Sequence, residues 1–180
     1  MMLNDPLGAL KPLTAQHLPL VFEWRNHPSV RAHMFSSELI DWPTHQQWYA
    51  KAQADPLRYL FLYVRNDVAL GFVQFAQTQA HGAGTWGFYK APDALRGTGF
   101  QLGQVALAHA FTVLQFHKLC AQVIASNLNS LRFHHRLGFE LEGVLRQQHF
   151  DGTDYVDQHC FGLLQSQWIK RSSHAQAVSK

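Results

Sequence analysis

The hydrophobic pattern of this chain changes period at Leu57, from helical to strand-like, and that change narrows what the chain can fold into. Upstream, Leu18, Val21, Phe22 and Arg25 fall at helical spacing after Thr14. Pro19 sits in a first turn where a missing N–H is tolerated, so a helix runs to about Asn26. Thr44-His45-Gln46-Gln47, after Pro43, has the pattern of a capping box and predicts a second helix that stops before Asp55-Pro56. Ala9 to Leu13 reads as a short first strand. Downstream, Tyr59 to Val64 is a continuous apolar and aromatic run, Asn66-Asp67 is turn chemistry, and Leu70 to Phe75 resumes a strand, which together make a hairpin. Beyond the break His81-Gly82-Ala83-Gly84, Thr85 to Tyr89 adds a third strand. Leu102 to Phe116 reads as a long, largely buried helix, Lys118 to Ala125 as a strand, and Ser130 to Leu137 as a short helix ended by Gly138. Two more strands flank the Asp151-Gly152 turn. A helix-rich opening, a meander and a β-α-β-α-β half imply a mixed α/β sheet with helices on both faces.

The 180 residues are 47% hydrophobic and 13% aromatic, enough for one domain that buries roughly 70% of its unfolded surface and excludes disorder as the main state. Residues 1–170 read as that domain and 171–180 as a polar, frayed tail. Charged residues are 15%, below the roughly 25% of an average soluble protein, so Gln and the 12 His keep the surface polar. Net charge is +3, and no basic run exceeds Lys170-Arg171, which argues against a nucleic-acid partner. Met1 to Pro6 has no signal-peptide pattern and no run approaches the roughly 18 apolar residues of a spanning helix, so the expected location is the cytoplasm, away from membranes. The histidines show no metal-ligand spacing, and no metal is expected. Cys120 and Cys160, in apolar strand-like stretches, are expected to be buried free thiols. Trp86, Phe88, Phe111, Phe116 and Phe161 are expected in the core.

Arg96-Gly97-Thr98-Gly99 lies between a strand and a long helix. There the first helical turn leaves N–H groups free, glycines let a ligand reach the backbone, and the helix dipole favours an anion such as a diphosphate. A plain helix-entry loop would look the same. About thirty residues on comes Asn127-Leu128-Asn129-Ser130-Leu131-Arg132-Phe133-His134-His135-Arg136-Leu137-Gly138-Phe139. The two segments together resemble the GNAT acetyltransferase superfamily, whose patterns read Arg/Gln-x-x-Gly-x-Gly/Ala and Asn-x-x-Ala-x-x-x-Tyr-x-x-x-Gly-Phe. Arg96 and Gly99 match the first, with Gln101 in place of its last small residue; Asn127, Ser130, Gly138 and Phe139 match or nearly match the second.

The resemblance spans roughly residues 8 to 165. It implies a mostly antiparallel seven-stranded sheet splayed between its fourth and fifth strands, and acetyl-CoA as co-substrate. The donor would lie along Phe88, Tyr89 and Lys90, with its pyrophosphate on Arg96, Gly97, Thr98, Gly99, Phe100 and Gln101, and with Asn127 and Ser130 beside it. Acyl transfer to an amine needs a backbone N–H where negative charge develops on the thioester oxygen, a neutral amine, and a proton for the departing thiolate. The family commonly has a Tyr for the last role. His134 stands there, and either assists thiolate departure or only hydrogen-bonds the loop or pantetheine. Thr85 to Tyr89 carries no carboxylate to act as base, leaving a water relay or His45.

Trp24 to Pro28, Asp41 to His45 and Gly87 to Tyr89 resemble the branch that acetylates the 4-amino group of a UDP-linked amino-deoxy sugar, as in pseudaminic acid biosynthesis for flagellin glycosylation. By that resemblance Arg25, His45 and Tyr89 line the nucleotide-sugar site. Phe139 to Arg146, Asp157 and Gly162 to Leu164 also resemble enzymes acting on protein N-terminal amines. Peptide or small-amine acceptors therefore stay open, as does a catalytically dead acyl-CoA sensor. A monomer or homodimer is expected.

Overall fold

The structure, a computed structural model, describes residues 7–78 and 82–178, with side chains through Ser173. Met1 to Pro6, read above for a leader, lie outside the described residues, as do His81 of the glycine-rich break and the last two residues of the tail.

The elements run β1 (Ala9–Pro12), a 3-10 turn (Ala15–His17), α1 (Leu18–Asn26), α2 (Pro28–Arg31), α3 (Trp42–Ala54), β2 (Arg58–Arg65), β3 (Val68–Gln77), β4 (Ala83–Lys90), α4 (Thr98–Thr112), β5 (Lys118–Ile124), α5 (Leu128–Leu137), β6 (Glu140–Phe150), β7 (Tyr155–Leu164) and α6 (Gln165–Val178). The strands form one seven-stranded sheet in the order β1-β2-β3-β4-β5-β7-β6. β4 and β5 are parallel and share three pairs, Ala83/Lys118, Gly84/Leu119 and Thr85/Cys120, while the registers of β1-β2, β2-β3, β5-β7 and β6-β7 are antiparallel.

The β2-β3 turn is tight because Asn66 and Asp67 both adopt positive φ, 52° and 60°, which short Asx side chains tolerate. Four features differ from the sequence reading. α3 starts at Trp42, not Thr44: Asp41 is its N-cap, its carboxylate accepting from the Thr44 N–H at 2.8 Å, and Pro43 falls in the first turn. α4 starts at Thr98 and ends at Thr112, one turn earlier than the apolar run suggests, because the glycine-containing segment itself forms the first turn. Residues 171–178 of the segment expected to fray belong to α6, which lays Trp168 against Phe111 at 5.5 Å between ring centroids. Finally, Cys120 and Cys160 are free thiols but only half-buried, and Phe88 is half-buried too.

The chain divides into two compact units. One comprises the chain up to Ala76 with Trp86–His109; the other comprises Gln77–Thr85 with the chain from Ala110 onward. In the first unit, β2 alternates between two cores. Leu60, Leu62 and Val64 pack with Leu18, Val21, Trp24 and Ala52 of α1 and α3, while Phe61 meets His109 of α4 at 4.6 Å. Each such buried Leu or Phe contributes roughly 1.5 to 3 kcal/mol. In the second unit Phe111, Phe116, Leu119, Phe139, Phe161 and Leu163 are fully buried.

Candidate active site

The loop from Lys90 to Gln101 is built within the first unit. The Ala91 N–H donates to the Leu70 carbonyl at 2.8 Å, and the Lys90 ammonium to the Ala94 carbonyl at 2.9 Å. The Thr98 N–H is taken by the Leu95 carbonyl, and those of Phe100 and Gln101 by the Gly97 carbonyl, at 3.2, 3.0 and 3.3 Å. The N–H groups of Arg96, Gly97 and Gly99 have no backbone partner among the described residues. Gly97 holds φ +94°, and a Cβ at Gly97 or Gly99 would meet no atom within 4 Å. Packing therefore does not demand glycine at 97 and 99; open space lies over free N–H groups at a helix start, which fits a pyrophosphate.

The same unit holds Arg25, His45 and Tyr89. Arg25, in the last turn of α1, donates through Nη2 to the Ser36 carbonyl at 2.8 Å, while its Nη1 is buried without a hydrogen-bond partner. His45 is 2% exposed, and its Nε2 is likewise buried and unpartnered. Burial lowers the pKa of His45, the Leu18 carbonyl opposes the shift, and the Arg25 charge adds to it. Nε2 has no partner, so with the ring proton on Nδ1 it presents a bare lone pair. Burial likewise lowers the pKa of Arg25 and raises that of Tyr89, whose hydroxyl lies 3.5 Å from the Val21 carbonyl. Each is electrostatically coupled to the other. Aromatic rings surround the group: Phe22, Trp42 and Trp48 lie 5.4, 5.9 and 5.2 Å from His45, and Phe72 lies 5.2 Å from Tyr89.

Three side chains pin the segment that follows α2. Besides Arg25, Arg31 donates to the Ser37 carbonyl at 2.7 Å, and Asn26 brackets Ile40, giving Nδ2–H to its carbonyl and accepting its N–H. The sequence reading missed Asn26 and Arg31, although the Arg-Asn-His-Pro stop signal places both beside this segment.

The second motif lies in the second unit and reads locally as a well-terminated helix. The Asn127 side chain accepts from the Ser130 N–H at 3.0 Å and caps α5. Gly138, at φ +100°, closes it: the Gly138 and Phe139 N–H groups both donate to the His134 carbonyl. A Cβ at Gly138 would also lie 2.7 Å from the Arg171 side chain. His134 is 3% exposed, and its Nδ1–H donates to the Ser130 carbonyl at 2.8 Å. Its ring stacks on Phe161 and meets Phe139 edge-on at 5.6 and 5.1 Å. Burial pushes its pKa down to about 4. At pH 7 the ring is neutral, with its one N–H committed to Ser130, which weighs against proton delivery to a thiolate.

Among the described residues no group of three His, Cys, Asp or Glu could hold a metal ion, and no helix is long and apolar enough to cross a membrane. An open groove is lined by Val144 to Gln148 and Asp157, of which Val144, Leu145, Arg146 and Asp157 belong to the segments that resemble enzymes acting on protein N-terminal amines.

Residues 9–140 match the acetyltransferase (GNAT) domain model. The chain is 27% identical over 129 residues to acetyltransferase PseH of Campylobacter jejuni, covering 72% of this chain and 80% of that protein. It is 23% identical over 162 residues to the spermidine N(1)-acetyltransferase of Escherichia coli, covering 89% and 87%. The crystal structure of spermidine N-acetyltransferase from Vibrio cholerae in complex with CoA and spermine shares its fold, with a TM-score of 0.82 at 22% identity over 89% of this chain and 97% of that one. With the sheet order, the glycine loop and the capped second helix in place, the chain belongs to the GNAT family of N-acetyltransferases, acyltransferases that draw their acetyl group from acetyl-CoA.

Proposed function

We propose that this protein is a cytoplasmic enzyme, one domain over residues 1–170, that acetylates the 4-amino group of a UDP-linked amino-deoxy sugar. The observation that carries the reading is the pair of buried, unpartnered atoms Arg25 Nη1 and His45 Nε2 among aromatic rings. Leaving such atoms unmet costs about 1 to 3 kcal/mol each, so a ligand that meets them gains affinity. Arg25 offers an N–H and His45 a lone pair. A hydroxyl, or the imide edge of uracil, supplies the complementary acceptor and donor, and the rings supply a stacking face. The likeness to PseH points the same way.

A polyamine acceptor, suggested by the spermidine acetyltransferases, fits this site less well. A polycation needs carboxylates, and the charge acting on His45 is the cationic Arg25.

In the proposed reaction the pyrophosphate of acetyl-CoA rests on the N–H groups of the Arg96–Gln101 loop, and backbone at Phe88 to Lys90 supplies the donor for the thioester oxygen. The resemblance assigns Asn127 and Ser130 to the same co-substrate. The neutral amine attacks the carbonyl carbon, the C–S bond breaks, and the proton shed by the acetylated nitrogen passes through water to the departing thiolate. Water, or the neutral His45 acting on the incoming ammonium, keeps the amine unprotonated. For His134 we retain the second of its expected roles, an oriented neutral ring that accepts or donates hydrogen bonds without delivering a proton. Kinetics of His134→Ala and His134→Tyr from pH 6 to 9 check this: a fall in kcat beyond about twofold that tracks pH would restore the proton-donor role.

The deciding assay measures CoA release from acetyl-CoA with a UDP-4-amino sugar, spermidine and a peptide N-terminus as acceptors. Turnover of the nucleotide sugar above the others is expected. Preference for spermidine or the peptide overturns the reading, and no release with any acceptor despite tight acetyl-CoA binding favours a sensor.

A further inference from the structure

Gln101 is the one position at which the donor loop departs from the family's small residue, and the structure gives that departure a partner. Gln101 lies in the first turn of α4, where its N–H donates to the Gly97 carbonyl. Its side-chain Oε1 accepts from Nη1 of Arg65, the last residue of β2. Arg65 is firmly based. It precedes the tight Asn66-Asp67 turn and pairs with Val68, and the turn is tied to β1 by Lys11, 3.3 Å from Asp67. A glycine or alanine at 101 could not reach Arg65.

We propose that Arg65 is a positioning residue for donor binding, acting through Gln101 to fix the turn whose Gly97 and Gly99 N–H groups receive the pyrophosphate of acetyl-CoA. The inference rests on the reading of the Arg96–Gln101 loop as the pyrophosphate site. A charge-assisted hydrogen bond between two sheet-anchored elements holds the loop geometry before the ligand arrives, and loss of that order is felt as lost affinity. Because Arg65 acts through another side chain, its effect depends on Gln101 and on the presence of the pyrophosphate.

The test is calorimetric titration of the full chain with acetyl-CoA and with acetyl-pantetheine, which lacks the pyrophosphate. Arg65→Met and Gln101→Ala should each raise the Kd for acetyl-CoA about tenfold, and the double variant should be no weaker than either single. Arg65→Lys, which keeps a donor on a long stem, should stay within about twofold of the parent. Affinity for acetyl-pantetheine should be unchanged throughout. Unchanged Kd values for acetyl-CoA, or additive losses in the double variant, overturn the positioning role. An equal loss for acetyl-pantetheine also overturns it, by showing general loosening of the fold. If the parent chain binds acetyl-CoA no better than acetyl-pantetheine, the loop reading itself fails first.

Discussion

His45 and His134 are buried to the same degree, 2% and 3% exposed, and burial lowers the pKa of both, yet their surroundings assign them different work. His134 sits in the last turn of a capped helix, its Nδ1–H given to the carbonyl four residues back and its ring stacked on Phe161. That arrangement serves the fold. His45, also on a helix with an Asx cap, keeps a buried Nε2 without a partner, and it feels the charge of Arg25, whose Nη1 has the same deficit. Burial alone therefore does not separate the two; an unmet polar atom does, and it is on that atom that the proposed role of His45 rests.

The largest expected effect tests the His45 side. Arg25→Met keeps the stem and deletes the guanidinium, and it should lower acceptor kcat/KM by about a hundredfold to a thousandfold while the KM for acetyl-CoA stays within about twofold. His45→Phe, which retains the ring stacking, should cost about tenfold to a hundredfold in the same quantity. Steady-state kinetics with both substrates varied separate these outcomes. Unimpaired acceptor kinetics in both variants would erase the contrast between the two histidines.

The His134 side is tested through acid stability. Below pH 6.5 the unfolded chain takes up a proton on this imidazole that the folded ring refuses until about pH 4. Stability is therefore full at pH 7 and falls as pH drops from 6.5 toward 4, by roughly 3 kcal/mol from this group. His134→Phe should flatten that part of the profile. Urea unfolding at pH 7 and at pH 4.5 measures it, and an unaltered slope in the variant would show that His134 is not held neutral.

A third, smaller effect concerns Gly138, where helix closure and the chain's C-terminal helix meet. Alanine there must adopt φ +100° and displace the Arg171 side chain, for a loss of about 2 kcal/mol by chemical denaturation. Arg171→Ala in the same chain should recover part of that loss by removing the overlap and leaving the backbone strain. Gly138 was legible in the sequence as a helix stop, since its role is local. The Arg171 contact was not: 33 positions separate the two residues, and the polar Arg171-Ser172-Ser173 stretch gives no sign of docking.

The same division runs through the rest of the molecule. The Asn66-Asp67 turn, the strand runs after Leu57 and the two family segments were readable because each is encoded in neighbouring residues. The cap of α3 was misread from Thr44 because Asp41 and Thr44 are both good capping residues, and only backbone geometry decides between them. The resemblance pointed to Arg25 and His45. Their unmet atoms could not be foreseen, because a missing partner is a property of packing, as is the reach of Gln101 to Arg65.

The smallest effect asks whether Asn127 serves the fold alone. Its side chain caps α5 through the Ser130 N–H, so Asn127→Ala should cost about 1 kcal/mol of stability. Asn127→Asp keeps an acceptor at the cap and should restore that stability, with the added charge at the helix N-terminus favourable rather than harmful. If the side chain only caps the helix, both variants should bind acetyl-CoA like the parent. If it also touches the co-substrate, as the resemblance implies, alanine should weaken acetyl-CoA binding several-fold, and aspartate, stable but lacking the amide N–H donors, should weaken it as well. Paired melting and binding measurements on the two variants therefore place Asn127 with His134, whose ring is tied into its own helix, or with Arg25 and His45, the residues proposed to meet a ligand.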